Sequence, residues 1–163
     1  MPTLVCVDVD YRGAGAMAAA VAFEGWDAGV AVEEVAVAVG RVEPYVPGQF
    51  YRRELPCVLA ALKELKRAAE LVIVDGYVWL GPQRPGLGMH VHEALGVPVV
   101  GVAKTAFAGA PGVAVVRGAS KAPLFVTAEG MDPAVAARHV RAMHGAYRVP
   151  TMLKRVDQLC RRT

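Results

Sequence analysis

Three acids stand where they could do chemistry: Asp8 in the apolar run Leu4–Val9, Asp75 closing the run Leu71–Asp75, and Glu54 at the start of a helical stretch. A lone carboxylate against an apolar strand costs free energy unless it is paired or ligates a cation. Two or three gathered at neighbouring strand ends, with little basic compensation nearby in sequence, favour a hard divalent ion. Magnesium suits such a set, because it takes oxygen ligands and keeps several waters, so one or two carboxylates suffice. An ion held there can generate hydroxide, polarise a phosphoryl oxygen and neutralise a leaving group. Each acid also has an ordinary role open to it. Asp8 could cap a turn, Glu54 could be a first-turn helix acid, and Asp75 could close an Asx turn.

The elements that must position these acids follow from apolar spacing. Leu4–Val9 reads as a buried strand, Gly13 and Gly15 as a turn, Ala16–Phe23 as its antiparallel partner and Val30–Val39 as a third strand. The prolines and glycine between Glu43 and Phe50 require a loop. Leu55, Val58, Leu59, Leu62 and Leu65 recur at helical spacing within Tyr51–Glu70. Leu71–Asp75 is a strand, Gly76–Gly88 a loop, Met89–Leu95 a helix and Val99–Val102 a strand. After a loop through Thr105–Gly112, Val113–Val116 and Leu124–Val126 form a hairpin. Asp132-Pro133 then opens a helix that ends near Gly145. The order implies an α/β protein, a mixed central β-sheet flanked by α-helices.

The 163 residues, 55% hydrophobic and 20% charged, fit one domain spanning 1–163 and exclude disorder, collagen and coiled coil. The richest apolar stretch, Ala14–Phe23, falls well short of the ~18 residues of a membrane span. Met1-Pro2-Thr3 lacks the basic start of a secretory signal, so the expected location is the cytoplasm, with no membrane partner. Three cysteines, Cys6, Cys57 and Cys160, are far apart and read as reduced thiols. The net charge of +3 rests on 13 Arg and 5 Lys. Guanidinium suits phosphate, but the absence of Asn and the single Ile73 fit codon bias in a GC-rich genome as well.

More specific strings lie beside the acids. Pro44-Tyr45-Val46-Pro47-Gly48, followed by Arg53-Glu54, resembles the P-Y-[IV]-P-G-x4-R-E signature of the endonuclease V family, the deoxyinosine 3′ endonucleases. Val7-Asp8-Val9, Val74-Asp75-Gly76 and Gly101-Val102-Ala103-Lys104 follow in the family's order. Tyr147-Arg148-Val149-Pro150 and Arg155-Val156-Asp157 look like its closing segment. The resemblance implies an RNase H-like fold and Mg²⁺-dependent cleavage, with Mn²⁺ as an alternative ion, of the second phosphodiester bond 3′ to deoxyinosine in DNA. By motif position Asp8, Glu54 and Asp75 would be metal and catalytic residues, Lys104 the lysine near the scissile phosphate, and Asp157 a fourth polar catalytic position. Pro44, Tyr45, Val46 and Pro47 would form a wedge between bases. Gly48, Phe50 and Gly76 would border the hypoxanthine pocket.

The chain departs from the family pattern in places. The usual N-terminal helical segment is missing and the region after Lys104 is trimmed. Gly81-Pro82-Gln83-Arg84 stands where a His-Pro-Arg is common, Tyr77-Val78-Trp79 is bulky, and Ala128-Glu129-Gly130 replaces a proline-glycine-histidine turn. These changes bear on lesion recognition, with His90 and His92 near enough to compensate. Three readings remain: a DNA enzyme acting as a monomer on deoxyinosine, an inosine-specific endoribonuclease, and a non-catalytic nucleic-acid-binding protein. Arg52, Arg53, Arg84, Arg148, Arg155, Arg161 and Arg162 are candidates for a phosphate-contacting face.

Overall fold

The computed structural model describes residues 1–162 except 45, 48 and 50. The Val- and Ala-rich first third forms three antiparallel strands, β1 (Thr3–Arg12), β2 (Gly15–Glu24) and β3 (Glu33–Val39). Helix α1 (Tyr51–Glu64) then leads into β4 (Leu71–Asp75). A small hairpin, β5 (Trp79–Gly81) with β6 (Arg84–Pro85), precedes α2 (Leu87–Leu95) and β7 (Val99–Ala103). The chain ends with β8 (Val113–Val115), β9 (Leu124–Glu129), α3 (Pro133–Ala142) and α4 (Thr151–Arg162).

Seven strands make one mixed sheet in the order β3-β2-β1-β4-β7-β9-β8. β1, β4 and β7 run parallel at its centre, and the strands outside them are antiparallel. Alternation along β1 sends Leu4 and Cys6 to one face and Val5 and Val7 to the other. The first face is covered by α3 and α4 through Val140, Met152, Val156 and Cys160, the second by α1 and α2 through Cys57, Val58, Ala61 and Val91. On β2, Ala19 joins the first core layer, and Ala18, Ala20 and Ala22 the second. These short side chains let α1 and α4 both pack closely on the same strand. Among the described residues no helix is long and apolar enough to cross a membrane. All three cysteines are buried free thiols.

The expected mixed sheet with flanking helices is the one observed, and its differences from the sequence reading have local causes. β1 runs on to Arg12, because β2 keeps pairing with it, while its parallel ladder with β4 ends at Val7↔Val74. Asp8 therefore marks the end of a ladder, not of a strand. α1 stops at Glu64, short of Glu70, where the backbone N–H groups of Lys66 and Arg67 turn to the Glu33 carboxylate (2.8 and 3.2 Å). The segment 76–88 is not irregular: it holds the β5–β6 hairpin and the first turn of α2. Asp132 caps α3 as expected, accepting from Ala134 N at 2.8 Å, but the helix ends at Ala142. α4 had no counterpart in the sequence reading, although Met152, Val156 and Cys160 recur every fourth residue and are all buried.

Candidate active site

Val7 pairs with Val74 across the parallel strands β1 and β4, so the residues that follow them, Asp8 and Asp75, stand side by side. Adjacent strands lie ~4.8 Å apart, which brings two carboxylates to one sheet face at neighbouring positions. α4 crosses that face and presents Asp157, whose carboxylate hydrogen-bonds to that of Asp8 and accepts from Arg161 Nε at 2.8 Å. Lys104 follows the last residue of β7, the next parallel strand, and its charge reaches Asp75. Glu54 comes from the first turn of α1 and is only 7% exposed. The structure thus brings Asp8, Glu54, Asp75, Lys104 and Asp157 together from five elements or their ends.

Burial raises the Asp8 pKa most, with the charge of Asp75 and the contact with Asp157 adding to it; a hydrogen bond from Val9 N opposes, and the group stands at about 7. Burial also pushes Glu54 up to about 8, reinforced by Asp8 and Asp75 and eased by Arg53. Asp75 is raised by burial, with Lys104 and Arg161 pulling against it. At Asp157 burial is outweighed by the hydrogen bonds from Arg161 and Asp8, and the pKa falls. Like charges held out of water in this way are short of cations.

Two cavities meet at Asp75. One, of about 370 Å³, lies between the sheet and α4, walled by Ile73, Val102, Leu124 and Val156, with Asp8, Lys104, Asp157 and Tyr147 also lining it. The other, of about 320 Å³, is lined by Tyr51, Glu54, Gly76, Tyr77, Leu80 and Phe107 among others. Tyr77 is fixed there by donating to Thr105 O at 2.8 Å, and Arg84 lies 5.4 Å over the Phe107 ring. Of the expected substrate-contacting residues, Gly76 lines this second cavity, and Pro44, Val46 and Pro47 sit on an exposed loop before α1. Tyr45, Gly48 and Phe50 lie outside the described residues.

The places where the chain departs from the family pattern touch one another. Val78 N donates to Thr127 Oγ1 (2.8 Å), and Trp79 Nε1 to Glu129 Oε2 (2.9 Å). Gly101 makes this approach possible, since a Cβ there would lie 2.5 Å from Gly76 O and 2.8 Å from Thr127 Oγ1. Of the two candidate compensating histidines, His92 is engaged elsewhere, its Nδ1 2.7 Å from Val97 O at the end of α2. His90 stacks on Tyr51 at 3.7 Å between ring centroids, beside the second cavity.

Most of the candidate phosphate-contacting arginines have internal partners. Arg148 donates to the carbonyls of Lys104, Ala122 and Pro123. Arg155 pairs with Glu34, Arg161 with Asp157, Arg52 hydrogen-bonds Gln49, and Arg53 lies 3.9 Å over the Tyr11 ring. Sequence reasoning missed the most enclosed arginine. Arg117, 5% exposed, donates to the carbonyls of Arg141, Met143, Gly145, Tyr147 and Arg148. No local pattern marks it, because its partners are backbone atoms brought in by the fold.

Among the described residues no group of three or more His, Cys, Asp or Glu side chains is drawn together tightly enough to cage an ion. The donor set nevertheless fits magnesium, which needs one or two carboxylates and fills its shell with water. It does not fit zinc, whose usual nitrogen and sulfur donors are missing from the cluster. The contact between Asp8 and Asp157 requires a proton between two carboxylates, and a cation would satisfy the same oxygens.

Residues 1–115, which hold Asp8, Glu54, Asp75 and Lys104 but not Asp157, match the family model of endonuclease V. An endonuclease V from Streptomyces coelicolor is 38% identical over 178 aligned positions, covering 95% of this chain and 76% of that protein. One from Streptomyces avermitilis is 38% identical over 155 positions, and the chain spans 65% of its length. The crystal structure of endonuclease V from S. avermitilis superposes with a TM-score of 0.82 at 33% identity, covering 98% of this chain and 80% of that one. Endonuclease V from Ciona intestinalis, bound to a DNA containing an inosine followed by a ribo-adenosine, shares the fold with a TM-score of 0.85 at 18% identity, over 98% of this chain and 84% of that one. With an RNase H-like sheet and two thirds of its length matched to the family model, this chain belongs to the endonuclease V family of nucleases.

Proposed function

We propose that this chain is a Mg²⁺-dependent endonuclease, with Mn²⁺ as a substitute ion, that cuts the second phosphodiester bond 3′ to deoxyinosine in DNA during repair of deaminated adenine. The observation that carries the proposal is the group of buried, mutually repelling carboxylates around Asp75, with Lys104 beside it and two cavities meeting there.

Asp8, Glu54 and Asp75 would hold the ion. When bound, it would make water more acidic and offset the phosphate's charge. Lys104 offers a compact positive charge to the non-bridging oxygens as charge builds in the transition state. Glu54, buried and close to Asp8 and Asp75, orients the attacking water as a hydrogen-bond acceptor. Asp157, steadied by Arg161, fixes the carboxyl of Asp8.

The second cavity takes the extruded base, with Gly76 at its wall; by motif position Gly48 and Phe50 would contact the same base. Pro44, Tyr45, Val46 and Pro47 act as the wedge. Val46 is 39% exposed, and stiff apolar residues held out in solvent suit insertion between bases. Extrusion is cheapest at a mispaired base, so hypoxanthine opposite a partner other than cytosine is favoured by the duplex itself. Residues 1–163 act as one domain and as a monomer in the cytoplasm.

A second reading takes inosine in RNA as the substrate. It is favoured by the ribo-adenosine that follows inosine in the strand bound by the Ciona protein. The deciding experiment is a gel assay with labelled single- and double-stranded oligonucleotides bearing one deoxyinosine or one inosine, with Mg²⁺ and with EDTA. A metal-dependent nick one nucleotide beyond the modified base is expected, and the strand that is cut chooses between DNA and RNA. Binding without a cut would overturn catalysis in favour of a non-catalytic binding protein.

A further inference from the structure

Arg117 and Arg148 together fix one short segment of backbone. Arg117 Nη1 donates to Tyr147 O at 2.6 Å and Arg148 O at 3.2 Å, while its Nη2 donates to Gly145 O at 3.0 Å. Arg148 ties the next residue to Pro123 O at 3.0 Å and Ala122 O at 2.9 Å. Gly118 packs directly beneath: a Cβ there would lie 2.5 Å from Ala146 O and 3.2 Å from the Tyr147 Cα. Burying a guanidinium without a carboxylate partner is costly, so this much hydrogen bonding to one loop calls for something the loop must present.

What it presents is the Tyr147 ring. The side chain belongs to a residue 73% exposed, although its backbone is pinned from both sides. It stands at the cavity that also holds Asp8, Asp75, Lys104 and Asp157, with Lys154 Nζ 5.9 Å from the ring centroid. A fixed, solvent-facing aromatic beside two lysines is the arrangement on which bases of a single strand stack.

The direction of the strand follows from the two cavities, given the nuclease reading on which this step rests. Asp75 lines both the base pocket and the cavity at which Tyr147 stands. A strand with its modified base in the first and its scissile phosphate at the acids leaves past Tyr147. We infer that Tyr147 is a stacking platform for the base just 3′ of the cut, held rigid by Arg117 and Arg148, and that it binds this base without reading its identity.

The test measures equilibrium affinity in EDTA and KM in Mg²⁺ for short single strands carrying deoxyinosine, with the nucleotide just 3′ of the cut either intact or abasic. Wild type, Tyr147→Phe and Tyr147→Ala are compared, along with an all-adenine control strand. A stacked base contributes about 1–3 kcal/mol in related sites, or about 5- to 150-fold in affinity. Tyr147→Ala is therefore expected to bind the intact strand about 5- to 150-fold more weakly, with KM raised in step and kcat little changed. Tyr147→Phe should match wild type. Removing the base should cost wild type the same factor and cost Tyr147→Ala nothing more. Unchanged affinity in Tyr147→Ala, or an abasic penalty that persists in it, overturns the platform. If wild type fails to prefer the deoxyinosine strand, yet Tyr147→Ala still loses affinity for both strands in the base-dependent way, the substrate reading has failed and the platform stands.

Discussion

Two buried sets of charge border the candidate site, one of them through the backbone of Tyr147 and Arg148, and they are handled in opposite ways. Arg117 has no acidic partner, yet its guanidinium donates to five backbone carbonyls and is satisfied. Asp8, Glu54 and Asp75 have each other, and burial, reinforced by their shared charge, raises Asp8 to about 7 and Glu54 to about 8. A fold that can answer a buried cation so fully could have answered three acids with arginine. It supplies only partial relief, from Lys104, Arg161 and Arg53, and commits Arg148 and Arg155 elsewhere. The satisfied charge builds structure, whereas the unsatisfied ones are set aside for something that binds. Substitutions should then have opposite signatures: loss of kcat without loss of stability at the acids, and loss of stability with kcat little changed at the arginine.

The largest effect falls on activity. Asp75→Ala or Asp8→Ala should lower the nicking rate by at least about 10³-fold, the upper end of what losing one transition-state contact costs. The melting temperature should hold or rise, since a source of repulsion has gone. Nicking at the wild-type rate in either variant would remove that residue from the site.

Arg117→Met should do the opposite. It leaves several carbonyls without a donor and frees the segment 143–148, at a cost of about 3 kcal/mol. For a chain of this size that lowers Tm by about 6–12 °C. Thermal melts in EDTA give the answer directly, and a variant that melts with wild type would show that water replaces the guanidinium without penalty.

A smaller effect separates the acids by pH. Asp8 and Glu54 have folded-state pKa values raised above their ordinary range. Their contribution to stability is therefore complete below about pH 4 and is lost as pH rises through 7 to 8. Glu33, Glu34 and Asp157 are held below the ordinary carboxylate range, so they do not enter this window. In EDTA, Asp8→Asn should raise Tm at pH 8.5 by about 3–6 °C and change it little at pH 5.5. Mg²⁺ should stabilise wild type more at pH 8.5 than at pH 5.5. Equal gains at both pH values would mean that charge repulsion is not what the ion relieves.

How much of this was legible depended on how locally each feature is encoded. Asp8 and Asp75 stood out because they interrupt apolar runs, and the parallel register of β1 and β4 needed only those runs to pair. Glu54 could be placed on a helix start from its spacing to Leu55, Val58 and Leu62. Asp157 came from resemblance alone, because its helix was not read from the sequence, though the fourfold spacing of Met152, Val156 and Cys160 was there to be used. The hairpin inside 76–88 was hidden by its glycines and prolines, which serve close packing against Tyr77 and Val78 as much as turning. Arg117 had no local signal at all. Its partners lie 24 to 31 residues away and are carbonyls, which no residue type announces.

The arginines supply the finest test, because the sequence suggested a phosphate-binding face and the structure gives most of them internal partners. Arg155 lies 2.5 Å from Glu34 and its side chain remains 41% exposed. An exposed pair of this kind contributes about 0–1 kcal/mol, so Arg155→Ala should lower Tm by no more than about 4 °C. Its effect on binding discriminates more sharply. Each phosphate contact on a single strand contributes about 0.7 to the slope of log affinity against log salt. If Arg155 is committed to Glu34, the alanine variant keeps the wild-type slope, whereas Lys104→Ala loses about 0.7. A matching loss at Arg155 would mean that the ion pair opens to receive a phosphate, and the line between structural and binding charge would have to be redrawn there.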